Sequence, residues 1–67
     1  MSKPKQIRPL ELVKILEQAG YVRLRQKGSH LIMFHAEKHK HVTVPVHNQP
    51  LKKGTLTAIL RQAQVKL

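Results

Sequence analysis

The stretch YVRLRQKGSHLIMFHAEKHKHVTVPV, residues 21–46, decides the fold. Tyr21–Arg25 alternates aliphatic with basic or aromatic side chains, and Ser29–Phe34 is rich in β-prone residues. Between them, Lys27-Gly28 is a tight-turn signal. These features predict a β-hairpin.

A third strand is predicted from His41 to Val46, after a polar connection at residues 36–40. Alternation puts Val42, Val44 and Val46 on one face of this strand. Pro45 has no N–H to donate to a strand ladder, so we expect the third strand to lie at an edge of the sheet.

A helix is predicted on the N-terminal side, over residues 9–19. Pro9 suits the first turn, and Gly20 supplies a stop. Four apolar side chains then share one helical face: Leu12, Ile15, Leu16 and Ala19.

A second helix is predicted on the C-terminal side. Asn48-Gln49-Pro50 breaks the strand pattern, and Gly54-Thr55 offers a helix start with Thr55 as the N-cap. The apolar face that follows consists of Leu56, Ile59, Leu60, Ala63 and Leu67.

The predicted fold class is therefore α+β, in the order α-β-β-β-α. A chain of 67 residues has room for one core, so residues 1–67 are expected to form a single domain, with the polar segment 1–6 frayed. A three-stranded antiparallel meander buries one face by packing both helices on the same side. The opposite face is then open to a ligand or a partner.

The charge balance indicates a polyanionic partner. Lys and Arg number 13 against 3 acidic residues, which gives a formal net charge of +10. Self-repulsion of this size suits a chain that works beside nucleic acid or an anionic surface. An acidic protein partner fits the charge equally well.

Composition also excludes several classes of function. The chain has no Cys, which removes disulfides, thiolate zinc sites and a cysteine nucleophile. Glu11, Glu17 and Glu37 are scattered along the chain, so a two-metal nuclease is not expected. We also expect no small-molecule cofactor. The longest apolar run, Leu31–Phe34, is too short for a membrane span or a signal core. We expect a soluble protein that acts in the cytoplasm.

His30 is the best candidate for catalysis, because imidazole exchanges protons near neutral pH and the residue begins a strand that can hold the ring rigidly. Gly28, which has no Cβ, allows a phosphate or base to approach the backbone beside Ser29. A phosphate could be bound, and charge on its oxygens stabilised, by three basic residues of the first strand: Arg23, Arg25 and Lys27. We expect them to form one face of that strand.

Plainer interpretations of these residues stay open. Gly28-Ser29-His30 is also an ordinary turn with a surface histidine, and the basic series is also a solvated strand face. His39 and His41 are spaced for a metal but are better explained as a basic loop. His35 and His47 are candidates for a second acid or base, with surface or capping roles favoured. Base stacking is poorly supported, because Tyr21 and Phe34 are the only aromatic side chains besides histidine.

Four blocks of sequence resemble the HicA-type toxins of HicA/HicB type II toxin–antitoxin pairs. Each block is weak alone, but their order and spacing are specific, and together they cover nearly the whole chain. The blocks are Leu12–Leu16 with Ala19-Gly20-Tyr21, then Arg25–His30, then Val44–His47, and last Gly54-Thr55-Leu56 with Ile59–Ala63.

The resemblance implies a fold like that of the double-stranded-RNA-binding domain, ribosome-independent cleavage of mRNA, and neutralisation by a HicB antitoxin. The scarcity of carboxylates predicts that this cleavage is metal-independent. It also implies that His30, in the Gly-Ser-His motif, is the catalytic residue. One departure is Gln64, where these toxins often have Gly. The alternatives are a non-catalytic RNA-binding module of the same fold, in which His30 contacts a phosphate or a 2′-hydroxyl, and an interaction domain for an acidic protein.

Overall fold

The computed structural model describes residues 7–66, and it has the element order expected from the sequence. Expectations for residues 1–6 and for Leu67 lie outside the described residues. The elements are α1 (Pro9–Gln18), β1 (Val22–Lys27), β2 (His30–His35), β3 (Lys40–Pro45) and α2 (Lys53–Ala63).

The three strands form one antiparallel sheet in the order β1-β2-β3. β3 is an edge strand, which confirms the expectation drawn from Pro45. Both helices pack on one face of the sheet, because the strand side chains that point toward them form a single buried cluster with helix side chains. The cluster includes Leu31, Met33, Val42 and Val44 from the sheet and Leu12, Val13, Leu16, Ile59 and Ala63 from the helices. This α+β arrangement is that of the double-stranded-RNA-binding domain.

α1 begins at Pro9, and its free N-terminal groups are partly satisfied by its own first turn. The Glu11 carboxylate accepts the Arg8 backbone N–H at 2.9 Å. The helix ends in a Schellman motif, in which the Tyr21 N–H donates to the Leu16 carbonyl at 3.0 Å and Gly20 has φ +105°. The predicted stop at Gly20 is therefore confirmed.

α2 ends in the same way but without glycine. The Val65 N–H donates to the Leu60 carbonyl at 2.9 Å, and Gln64 takes the left-handed conformation with φ 61°. A side chain in that conformation costs roughly 1–2 kcal/mol relative to the right-handed one. Gln64 therefore occupies a position at which HicA-type toxins often have glycine, and glycine would avoid this cost.

The predicted N-cap of α2, Thr55, is wrong by three residues, because the N-cap is Lys52. The helix begins at Lys53, and Thr55 lies exposed within the first turn rather than at the cap. The reason is Leu51, two residues before the helix, which is buried and donates its N–H to the Ile7 carbonyl at 2.9 Å. This anchor fixes the chain upstream, so that the helix starts before the Gly54-Thr55 signal.

A buried cluster joins both helices to the sheet at one end of the molecule. The His35 ring lies edge-on to Tyr21, with ring centroids 5.0 Å apart, and its Nε2 is 3.2 Å from the Ala19 carbonyl. The Tyr21 hydroxyl donates to the Ala63 carbonyl of α2 at 2.9 Å. A Cβ on Gly20 would stand 2.6 Å from His35 Nε2. Glycine is therefore required at position 20 for both its φ and its size.

In the part of the chain that the structure describes, no helix is long and apolar enough to span a membrane.

Replacing Gly20 by alanine should destabilise the fold by about 2 kcal/mol or more, since the new methyl group meets His35 and the backbone is left-handed. Gly54→Ala is the matched control. That position is helical and has open space around it, so the same substitution should be neutral or stabilise by up to about 1 kcal/mol. Urea midpoints of the two variants measure the difference, and equal midpoints would contradict the packing described for Gly20.

Candidate functional site

His30 lies at the start of β2, immediately after a two-residue turn. Lys27 and His30 face each other across Gly28-Ser29. Gly28 has φ 61° while Ser29 does not adopt a positive φ, a pattern typical of a type II′ turn. The backbone of this turn therefore needs glycine at position 28, and the turn holds the exposed His30 beside a lysine.

The turn is tied to its surroundings on both sides. The Gln26 side-chain amide donates to the Gly28 carbonyl at 3.0 Å, and the Val46 N–H donates to the Ser29 carbonyl at 2.7 Å. A Cβ added at Gly28 would have no atom within 4 Å. The turn is thus held in place while its outer side is open to a ligand.

The sheet face opposite the helices has a basic end and an apolar end. His30, Ile32 and Phe34 alternate with the buried residues of β2 and therefore point to this open face. Pairing adds Arg25 and Lys27 from β1 at the His30 end. At the other end, the rings of Phe34 and His41 lie 4.8 Å apart. None of the three strands contains an acidic residue. The charge near His30 is accordingly positive.

A β-bulge in β1 separates Arg23 from the other two basic residues of the strand. Arg25 pairs with Ile32, whereas Arg23 pairs with Met33, so the bulge occurs between them. Arg23 lies on the helix side, where its Nε is 3.2 Å from Glu17 Oε2 of α1. The expectation that Arg23, Arg25 and Lys27 share one strand face is wrong. Only Arg25 and Lys27 share the open face with His30.

His35 is a structural residue. It is 7% exposed, and its Nδ1 accepts the Lys38 backbone N–H at 3.2 Å. The ring proton is therefore on Nε2, from which it is donated to the Ala19 carbonyl. Both ring nitrogens are occupied by the backbone. The structure thus excludes His35 as a second acid or base, in favour of the capping role.

The other histidines are spread over the surface. His39 is an exposed turn residue with φ 53°, while His41 packs against Phe34 on the open face. Across residues 7–66, no three metal-binding side chains come together.

Tyr21 is not available for base stacking, since it is 1% exposed. Burial raises the pKa of its phenol above the ordinary value, because the phenolate would lose its hydration. The hydroxyl therefore stays a hydrogen-bond donor to Ala63 throughout the neutral range. Phe34 is the aromatic side chain that lies on the open face.

A depression of about 430 Å³ lies between the end of β3, the connection that follows it and the first turn of α2. We call it the β3–α2 depression. The sequence analysis did not predict this depression. The signal that could have indicated it is the pair of prolines, Pro45 and Pro50, on either side of a polar segment. It is lined by Pro45, His47, Gln49, Pro50, Leu51, Lys52 and Thr55.

Comparison with known proteins identifies the family. The family model described as the HicA toxin of bacterial toxin-antitoxin matches residues 10–65, which include α1 except Pro9, all three strands, the Gly28-Ser29-His30 turn and α2. Comparison with curated proteins gives no match. Because the family match extends over most of the chain, this protein belongs to the HicA family of toxins of bacterial toxin–antitoxin systems.

Proposed function

We propose that this HicA-family toxin is a metal-independent endoribonuclease that cleaves mRNA in the cytoplasm, with His30 as its general acid or base. The observation that carries the proposal is the placement of His30. The imidazole is exposed at the start of a central strand, opposite Lys27 and beside a turn held by two hydrogen bonds. The imidazole is therefore accessible to a phosphodiester that approaches from solvent.

Cleavage of an RNA phosphodiester needs two kinds of group, and both lie on the open face. An imidazole can take the proton from the attacking oxygen, whether a 2′-hydroxyl or water, or give a proton to the leaving oxygen. Cations stabilise the negative charge that develops on the phosphorus-bound oxygens. Lys27 and Arg25 are the cations nearest His30 in the pairing, and the exposed backbone of Gly28 and Ser29 lets a phosphate approach.

Membership of a toxin–antitoxin family implies an antitoxin partner. We propose that it is a HicB-like protein that covers the open face. An acidic surface placed over His30, Lys27 and Arg25 would neutralise their charge and exclude RNA at once. The half-buried side chains of Ile32 and Phe34 lie next to this charge and would serve as apolar anchors.

A non-catalytic RNA-binding module is the second candidate. The fold itself is that of a domain that binds double-stranded RNA, and the burial of His35 removes one candidate for a second acid or base. In this alternative, His30 contacts a phosphate or a 2′-hydroxyl without transferring a proton.

His30→Ala should lower RNA cleavage by about 10²–10⁴-fold, the usual contribution of one general acid or base, and should abolish growth arrest. The fold should be retained, because the side chain is exposed. His39→Asn is the matched control: it removes an exposed imidazole from the turn between β2 and β3 and keeps a residue that tolerates positive φ. Cleavage of a defined RNA by the purified variants, with circular dichroism to verify folding, is the measurement. Wild-type activity in His30→Ala would favour the non-catalytic module.

Metal independence is tested on the same wild-type protein. Cleavage should persist in EDTA, because the three Glu are scattered along the chain and the strands carry no carboxylate. Activity that disappears in EDTA and returns with Mg²⁺ or Zn²⁺ would disprove this part of the proposal.

RNA binding by the cleavage-dead His30→Ala protein should weaken steeply with salt. Arg25→Ala and Lys27→Ala should each reduce the slope of log affinity against log salt by about 0.7–0.9, since each removes one phosphate contact. Arg23→Ala is the matched control. It removes the same charge from the same strand, but on the helix side and beside Glu17. Slopes unchanged in Arg25→Ala and Lys27→Ala would place the RNA elsewhere, with Lys52, Lys53 and Arg61 as the next residues to substitute.

The cleavage-dead protein should bind RNA and the antitoxin in competition. Adding antitoxin to a preformed RNA complex should release the RNA, because both ligands need the open face. Fluorescence anisotropy of labelled RNA measures the release. A ternary complex with unchanged RNA affinity would contradict steric exclusion and indicate inhibition through a conformational change.

A further inference from the structure

The β3–α2 depression includes the residue that pairs with His30 across the sheet. Pro45, which forms one wall, is the cross-strand partner of His30, and directly opposed residues of an antiparallel pair have Cα atoms about 4.5–5.5 Å apart. The hydrogen bond from the Val46 N–H to the Ser29 carbonyl, 2.7 Å long, holds this edge against the turn. A chain molecule whose phosphate is at His30 can therefore place its neighbouring unit in the depression.

The residues around the depression combine apolar walls with a few polar groups. Pro45, Pro50 and the edge of Leu51 offer flat or aliphatic surface to the face of a ring. Gln49 carries both a donor and an acceptor, the combination with which side-chain amides read the edge of a base. Single-stranded RNA presents its bases in this way, unstacked and with their edges accessible.

The remaining lining groups favour an anionic ligand. Lys52 adds a positive charge, while His47 and Thr55 add further hydrogen-bonding groups, and no carboxylate lines the depression. An acidic side chain of a protein would match the lysine but would leave the proline walls and the Gln49 amide unused. A nucleotide, with an apolar ring face, a polar edge and a phosphate, uses all three.

We propose that the β3–α2 depression binds the base of one nucleotide next to the cleaved phosphodiester, with Gln49 reading the edge of that base. This inference rests on the proposed ribonuclease function and deepens it. The toxin would cleave single-stranded RNA with a preference at one position beside the scissile bond, and Gln49 would determine which base is preferred.

Binding is tested without cleavage, on ¹⁵N-labelled His30→Ala titrated with each of the four nucleoside 5′-monophosphates. Saturable shifts of the Gln49 side-chain amide and of the Thr55 backbone amide, with one base binding best, support the inference. Inorganic phosphate is the control ligand. If phosphate alone produces the same shifts, or if the nucleotides shift only residues 27–30, the depression does not read a base and the inference is overturned.

Specificity is tested by sequencing the products that the active protein makes from a random-sequence RNA pool. Gln49→Ala should reduce the preference at one position by about tenfold, within the range expected for one base-reading contact. Gln49→Glu should change the preferred base, because it exchanges an amide donor for an acceptor. Gln62→Ala, an exposed glutamine of α2 outside the depression, is the matched control and should leave the profile unchanged.

The outcomes separate this inference from the proposed function. If the wild-type protein cleaves RNA and Gln49→Ala leaves its profile unchanged, the base site is wrong and the ribonuclease stands. If the wild-type protein cleaves no RNA, the proposed ribonuclease fails, and the nucleotide titration alone decides whether the depression binds a base.

Discussion

The close contact between His35 and Gly20 is the constraint on which the rest of the structure depends. A Cβ of any other residue at position 20 would stand only 2.6 Å from the imidazole, which bridges the Ala19 carbonyl to the Lys38 N–H. Its edge-on neighbour Tyr21 in turn holds the last turn of α2 through the Ala63 carbonyl. A chain of this size buries only about 60% of its unfolded surface, so a satisfied polar cluster of this kind adds specificity to a small apolar core. The cluster fixes the ends of both helices relative to β2.

The two ends of β2 differ: one holds a buried structural histidine and the other holds the exposed candidate histidine. His35 and His30 stand at opposite ends of β2, and the alternation of a strand sends their side chains to opposite faces. One imidazole is buried with both nitrogens bonded to the backbone, while the other is exposed beside Lys27. The fold can therefore be rigid at one end of β2 without restricting the site at the other. The bulge after Arg23 contributes to this division, since it leaves Arg23 with Glu17 on the helix side and keeps Arg25 beside His30.

Much of this arrangement could be predicted from the sequence, where a local signal has a single structural meaning. The alternation of Val42 and Val44, the proline at position 45 and the glycine after α1 predicted the core face, the edge strand and the helix stop. The bulge was not predictable from the sequence. The segment Arg23-Leu24-Arg25 has the same alternating pattern in a regular strand and in a bulged one, and only the pairing with β2 reveals the extra residue. The prediction of Thr55 as the N-cap was wrong because the burial of Leu51 overrides the local capping preference of threonine. The structural role of His35 was not predictable because it depends on contact with Gly20, which is distant in sequence.

The distribution of charge explains why RNA and an antitoxin should compete for one face. Of the three Glu, two are in α1, where Glu11 binds its own helix N-terminus and Glu17 binds Arg23, and the strands contain none. The open face consequently has cations without internal partners among its own strand residues. An external anion binds most favourably to cations of this kind. Exposed charges that already have a partner would add little further binding energy. An RNA backbone and an acidic protein surface would both supply that anion at the same atoms. Under the proposed function, the charge that would attract RNA to His30 would therefore also make the site easy to inhibit.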